Sequence, residues 1–318
     1  MMKNGGHLSK KNKKKRGFIH DIRTNAVSYL MGFPAILYAL VFGYLTYPYM
    51  IIAFQKFSYR TGIFGSEFVG FKNFEFFFKS SQVYTITFNT IKLNLLFIIF
   101  TTLVALLLAL GFNELRNKKF IRMNQAAIMF PNYLSWVVVS YMIYSLFSTN
   151  YGLINQTLIL IGAKPIVWYN NADYWPAILT IMRVWKRAGI DSIIYMATIA
   201  GIDDSFIEAA KLDGANRRQI CRHITLPLLV PTVSIMTLLA IGSIMYGDFG
   251  MIYAIVGDNG VLLRTTDVID TYMFRALRRL GDPSSAMAIG LIQSLIGFIM
   301  VFGSNALARK LNPDAALY

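Results

Sequence analysis

The sequence predicts an all-α, multi-pass bundle of membrane-spanning helices with a helix-turn-helix bracket outside the membrane. Of 318 residues, 55% are hydrophobic and only 15% charged, against the quarter of charged residues usual in soluble domains. Six apolar stretches, near 27–54, 84–111, 123–147, 176–200, 227–255 and 284–308, are long enough to cross about 30 Å of hydrocarbon. One long polar passage, 205–227, carries a spaced pattern where a plain connecting loop would have none.

The chain starts with a basic arm, 1–26, that includes Lys10, Lys11, Lys13, Lys14, Lys15 and Arg16. A basic start before an apolar run is also the layout of a signal peptide. Residues 27–54, however, exceed the short apolar core of such a peptide and lack a small-x-small cleavage site, so they are predicted to be a retained first span. The arm then holds to anionic headgroups, which also accounts for the net charge of +15 without invoking nucleic acid. The transmembrane domain follows over 27–308, with the bracket at 202–227, and a tail at 309–318.

Orientation comes from Lys and Arg, which short cytoplasmic segments retain. With the N-terminus inside, the cytoplasmic segments hold 18 of the 31 Lys and Arg, the external ones nine, and the spans four. Both termini and the bracket are therefore expected in the cytoplasm. The single cysteine, Cys221, lies in that bracket and has no partner for an internal disulfide.

Among the external loops, 57–82 is aromatic and includes V-G-F-K-N-F at 69–74. It reads either as an interfacial aromatic belt or as a motif with a role outside. The loop 150–175 is predicted to carry a short surface helix, with Trp168, Tyr169, Tyr174 and Trp175 at headgroup level. The loop 257–281 runs against the charge trend, with Arg264, Arg275, Arg278 and Arg279. These face either an external protein or an acidic solute.

The fourth span is the most polar. Arg183, Lys186, Arg187 and Asp191 lie within a helix of about 37 Å, Lys186 and Arg187 about 15 Å below its outer end. A lipid-facing cation there costs at least about 2.5–3.5 kcal/mol, so these side chains should face other helices or a wet cavity. Arg183, Arg187 and Asp191 share one face. That face is either a pocket or an internal pair of Arg187 with Asp191, with Arg183 snorkelling outward. Asn89, Lys92, Asn94 and Gln293 also need polar partners in hydrocarbon, by default between helices. Gly242, Gly247, Gly290 and Gly297 read as close helix contacts. No nucleotide-binding G-x-x-x-x-G-K-[ST] and no H-E-x-x-H is present, so no catalytic constellation is predicted.

In the bracket, good helix formers run through Leu212, Gly214 is suited to ending that helix, and 215–224 can form a second one. Pro227 suits the first turn of the next apolar helix. Glu208, Ala209, Ala210, Asp213, Gly214, Ile224, Leu226 and Pro227 stand in an E-A-A…G…I-x-L-P arrangement. This resembles the signature of the membrane subunits of binding-protein-dependent ABC importers. The likeness covers roughly 29–310 and leans towards the carbohydrate permeases, in particular those for polysaccharides and oligosaccharides, where V-G-F-K-N-F also has a similar external counterpart.

The resemblance implies a bacterial plasma-membrane permease subunit for an oligosaccharide. Its partners would be a second, non-identical permease subunit, two ATPase subunits and an external solute-binding protein. No cofactor would belong to this chain, because ATP and Mg would be bound by the ATPases. The bracket would be a coupling helix seated in an ATPase cleft, with Glu208 at the contact, Gly214 making the bend and Leu226-Pro227 leading into the fifth span. In maltose-type permeases the residues after a tryptophan on the fourth span line the sugar site. Trp185 takes that place here, and Lys186, Arg187 and Ile190 follow as lining positions.

Two of these three are cations where neutral-sugar permeases have aromatic, small or aliphatic residues, which points to a carboxylate-bearing sugar. The segment I-M-Y-G-D-F-G at 244–250 resembles the family region that adds Tyr246 and Asp248 to the same site. Without the resemblance, Tyr246 reads equally as an interfacial tyrosine and Asp248 as a partner for an arginine. An ion-coupled secondary transporter and a non-transporting receptor or assembly subunit remain as other classes, and co-purification with an ATPase separates them.

Overall fold

A computed structural model describes residues 22–79, 81–115 and 117–311. Most of the basic arm and the end of the tail lie outside them. The chain forms two units, Met1–Ile51 and Ile52–Tyr318. In the first, α1 (Ala26–Tyr38) continues into a wider π turn, Ala39–Tyr44.

Among its described residues the second unit is mainly helical, with one two-residue antiparallel pair, β1 (Gln55–Lys56) with β2 (Glu67–Phe68). Asn73 at the start of α2 (Lys72–Lys79) donates to the carbonyls of Ala53 and Gln55, at 2.8 and 2.9 Å, and fastens this loop. The long α3 (Ser81–Asn113) packs along α7 (Trp175–Ala200), with Ala105, Ala109 and Ala188 allowing close approach. Gly189 brings α7 still closer to α4 (Lys118–Tyr133), where a Cβ would stand 2.0 Å from the carbonyl oxygen of Ile128.

Among the described residues, four helical stretches are long and apolar enough to cross a membrane: Ala26–Phe54, Gln82–Asn113, Arg217–Gly242 and Pro283–Ala306. A fifth candidate is a bent pair, α4 and α5 (Trp136–Phe147), which meet at 96°. The sequence reads this as one span over 123–147, but Pro131 weakens the last turn of α4, Leu134 is extended, and the Ser135 hydroxyl caps α5 by accepting from the Val138 amide. The predicted fourth span, α7, has the necessary 26 residues but carries the four charged side chains.

The predicted fifth span is also broken. α10 (Leu226–Gly242) ends at Ser243, and α11 (Phe249–Val256) starts only after Asp248. Three polar side chains satisfy the freed backbone. Asn94 donates to the carbonyls of Ile244 and Tyr246 at 2.9 and 3.2 Å, the Asp270 carboxylate of α12 (Ile269–Arg275) accepts from the Gly247 amide at 2.5 Å, and Gln293 of α13 (Pro283–Leu311) donates to the Met245 carbonyl at 2.7 Å. In an apolar medium such a break persists only where protein supplies these partners. Gly247 permits the approach, since a Cβ there would lie 2.5 Å from Val268; Gly242 meets Val301 in the same way.

The loops predicted to be external fold back onto the core. α6 (Leu153–Leu160) is the expected short helix, and its buried Asn155 accepts from the Ile166 amide and the Trp168 indole, both at 3.0 Å. Trp175 was expected at headgroup level. It is instead fully buried in the main apolar cluster with Leu93, Ile143, Leu179 and Met251, donating to the Trp168 carbonyl at 2.9 Å, while Tyr174 stays exposed. Three of the four arginines of 257–281 are paired inside the chain: Arg264 with Asp173 at 2.7 Å, Arg275 with the buried Asp267, and Arg279 with Asp258 at 2.7 Å.

Candidate functional site

The bracket begins where Asp203 caps α8 (Asp204–Leu212), accepting from the Ser205 amide at 2.9 Å. That hydrogen bond holds the Asp203 carboxyl below the ordinary carboxylate range. Gly214 ends α8 with φ +79°, a conformation that disfavours a side chain although no atom within 4 Å would oppose one. Asn216 and Gln219 then form a capping box for α9 (Arg217–Ile220). The expected second helix is shorter than 215–224, and it does not stop before the span. A π turn, Cys221–Thr225, carries it directly into α10, with Pro227 in the first turn.

Glu208, Ala209, Asp213 and Gly214 are exposed on this elbow, and Phe206 and Leu212 stand out beside them, Leu212 at 89% exposure. Ala210 and Ile224 are half-buried, and Leu226 and Pro227 open the span. Arg217 pairs with Glu114 at 3.0 Å and ties the elbow to the end of α3. A groove of about 790 Å³ lies between these elements, reaching from Leu107 to Cys221.

A second feature lies within the bundle, where a cavity of about 390 Å³ is bounded by α3, α7, the end of α10 and the break after it. Arg183, Arg187, Asp191 and Tyr195 line it from α7, Asn94 and Thr101 from α3, and Tyr246 and Asp248 from the break. Asp248 accepts from Arg183 and from the Met251 amide at 3.0 Å, so one carboxylate both pairs with α7 and caps α11. Arg187 donates to Asp191 at 3.1 Å, the internal pair anticipated one turn away, yet its side chain stays 41% exposed. The Tyr246 hydroxyl bonds Ser294 at 3.3 Å. The lining can therefore offer guanidinium, carboxylate, phenol and amide groups to a polyhydroxylated solute.

Of the five lining positions expected from the sequence, Arg187, Tyr246 and Asp248 meet at this cavity and Lys186 and Ile190 do not. Lys186 is turned the other way. Its buried ammonium reaches the carbonyls of Pro131 and Asn132, both at 3.1 Å, and that of Leu134, and it lies 5.0 Å from the Trp136 ring. These carbonyls lie where α4 breaks, that of Pro131 also accepting from the Leu134 amide at 3.2 Å, and a cation at a helix C-terminus meets the favourable end of its dipole. Arg183 and Asp191 lie on the α7 face that the sequence reads as either a pocket or an internal pair, whereas Tyr195 has no role in that reading and Asn94 only that of a polar group needing a partner between helices. Arg183 sits one turn before Arg187, a signal available in the sequence, but its pairing with a residue 65 positions away is not.

Residues 62–313 match the sequence profile of the binding-protein-dependent transport system inner membrane component. The polygalacturonan/rhamnogalacturonan transport system permease protein YteP of Bacillus subtilis is 33% identical over 307 residues, covering 96% of this chain and 95% of that protein. Protein LplB of the same organism is 32% identical over 286 residues, 90% of this chain and 89% of its own. Among solved structures, a bacterial ABC transporter involved in the import of the acidic polysaccharide alginate superposes with a TM-score of 0.84 at 28% identity, over 92% of this chain and 98% of that one.

Proposed function

The chain belongs to the family of binding-protein-dependent transport system inner membrane components, and from that premise we propose that it is the permease subunit that carries an acidic oligosaccharide inward. The observation that supports this most is the cavity of about 390 Å³ in which Arg187, Tyr246 and Asp248 converge. A guanidinium suits a sugar carboxylate, and the aromatic face and hydroxyl of Tyr246 suit a sugar ring. A relative described as a polygalacturonan/rhamnogalacturonan transport system permease, and a structural neighbour involved in the import of alginate, favour the same chemistry.

The proposed arrangement has six spans: Ala26–Phe54, α3, the bent pair α4 and α5, α7, α10 with α11, and α13. Both termini and the elbow over 202–227 face the cytoplasm. One of two ATPase subunits grips the exposed Glu208 and Ala209 and the half-buried Ala210, a second and different permease subunit completes the pathway, and an external binding protein delivers the solute. ATP is hydrolysed by the ATPases and not by this chain, which moves because Gly214 and Pro227 couple the elbow to α10.

Uptake of trigalacturonate against a neutral trisaccharide by the complete importer in proteoliposomes tests the substrate. Arg187→Ala should reduce acidic uptake by about tenfold, the equivalent of about 1.4 kcal/mol, and spare the neutral sugar. Equal effects on both would refute the assignment of a carboxylate to Arg187.

A further inference from the structure

At the far end of α11 from Asp248 lies a smaller cavity of about 330 Å³, lined by Tyr253, Asp258, Phe274, Arg275, Arg278 and Arg279. Its charges do not balance. Arg279 is met by Asp258 and Arg275 by Asp267, whereas Arg278 has no carboxylate within salt-bridge distance among the described residues. Arg278 instead donates to the Tyr253 phenol oxygen at 3.2 Å and lies 5.7 Å from the Phe274 ring centre. Beneath it, one guanidinium nitrogen of Arg275, Nη1, is buried with no acceptor. A buried donor left unpaired is destabilising. The floor of the cavity is therefore positive and short of an anion.

The walls are aromatic. Phe249 and Tyr253 stack one helical turn apart at 5.2 Å, and Phe274 packs against both, at 5.0 and 4.9 Å. This strip runs along α11, whose eight residues extend about 12 Å from the Asp248 cap at the inner cavity. A guanidinium beside ring faces is a combination that takes a sugar by its apolar face and its carboxylate together.

We propose that this cavity is a second saccharide subsite, external to the membrane, which takes a uronate residue with its carboxylate on Arg278 and its ring against Tyr253 and Phe274. This rests on the reading that the chain admits an oligosaccharide with 257–281 outside. The site is concave and within the size range of small-molecule pockets, unlike the broad patch of about 800 Å² per partner that protein docking uses. Because α11 links the two cavities, one oligosaccharide of several residues can touch the outer subsite and reach toward the inner one.

The experiment is equilibrium binding of labelled trigalacturonate to the assembled importer in nanodiscs, without binding protein and with Arg187→Ala to weaken the inner cavity. Saturable binding should remain, and adding Arg278→Gln should weaken it about tenfold, while Arg278→Lys should restore part of it by keeping the charge. Carboxyl-reduced trigalacturonate should bind both forms equally weakly. The proposal is overturned if no saturable binding is seen before Arg278 is changed, if Arg278→Gln has no effect, or if the reduced sugar binds as tightly as the acid. It is also overturned if Arg278→Gln leaves trigalacturonate binding intact and only raises the binding-protein concentration needed to stimulate ATP hydrolysis, because the face would then dock protein. ATP-driven uptake by the unaltered importer, measured alongside, reports separately on the transport reading.

Discussion

Arg183 of α7 pairs with Asp248, the residue that caps α11, and so joins α7 to the break between α10 and α11. Both side chains are mostly buried, at 30% and 18% exposure. Removing either partner strands a charge, whereas removing both strands none. Arg183→Gln and Asp248→Asn should each lower the thermal stability of the solubilised complex and slow uptake. In a double-mutant cycle the pair should show a coupling of about 1–3 kcal/mol. Additive single effects would mean that the pair does not hold the break.

Lys186 separates a structural role from a substrate role. Lys186→Met keeps the length of the side chain and removes the donor for the carbonyls of Pro131, Asn132 and Leu134. It should destabilise the complex by about 1–3 kcal/mol while leaving the half-saturating concentration of trigalacturonate unchanged. An altered substrate affinity at unchanged stability would return Lys186 to the transport pathway.

Gly189 tests the contact between α4 and α7. Gly189→Ala places a methyl 2.0 Å from the Ile128 carbonyl oxygen, and the backbone there must shift. A loss of about 1–3 kcal/mol is expected on thermal unfolding. Gly303→Ala, where a Cβ would meet nothing within 4 Å, serves as the control and should cost nothing.

Gly214 is a matter of backbone conformation and not of space. With φ +79° and open surroundings, Gly214→Asn should be tolerated and Gly214→Val should distort the elbow at a cost of about 1–3 kcal/mol locally. The Val variant should assemble yet lose most of its solute-stimulated ATP hydrolysis, and the Asn variant should retain it. Full stimulation in Gly214→Val would remove the role assigned to the bend.

The elbow was the most legible part of the chain, because a helix stop at Gly214 and a proline start at Pro227 are local signals. The polar residues Asn94 and Gln293 were also readable as needing partners between helices. What they bond to was not, since the acceptors belong to a break whose existence depends on Asp270, 23 residues further along in what reads as an external loop. Apolar runs cannot report that α4 and α5 bend by 96°, because the stretch across Leu134 is together long and apolar enough to read as one span. Trp175 misled for a similar reason: an aromatic near a span end is a headgroup anchor by position, and only the folding back of 150–175 buries it. Lys186 stood on the predicted helix, but its direction was fixed by the neighbouring helix end.

The central claim is that the elbow over 202–227 lies in the cytoplasm and grips a separate ATPase. Cysteine cross-linking from Ala209→Cys, in a Cys221→Ser background and in membranes carrying the whole importer, measures this most directly. The account predicts a cross-link to the ATPase subunit that abolishes uptake and is reversed by reduction. Labelling of that cysteine by a membrane-impermeant maleimide added from outside, or uptake that continues after cross-linking, would contradict it.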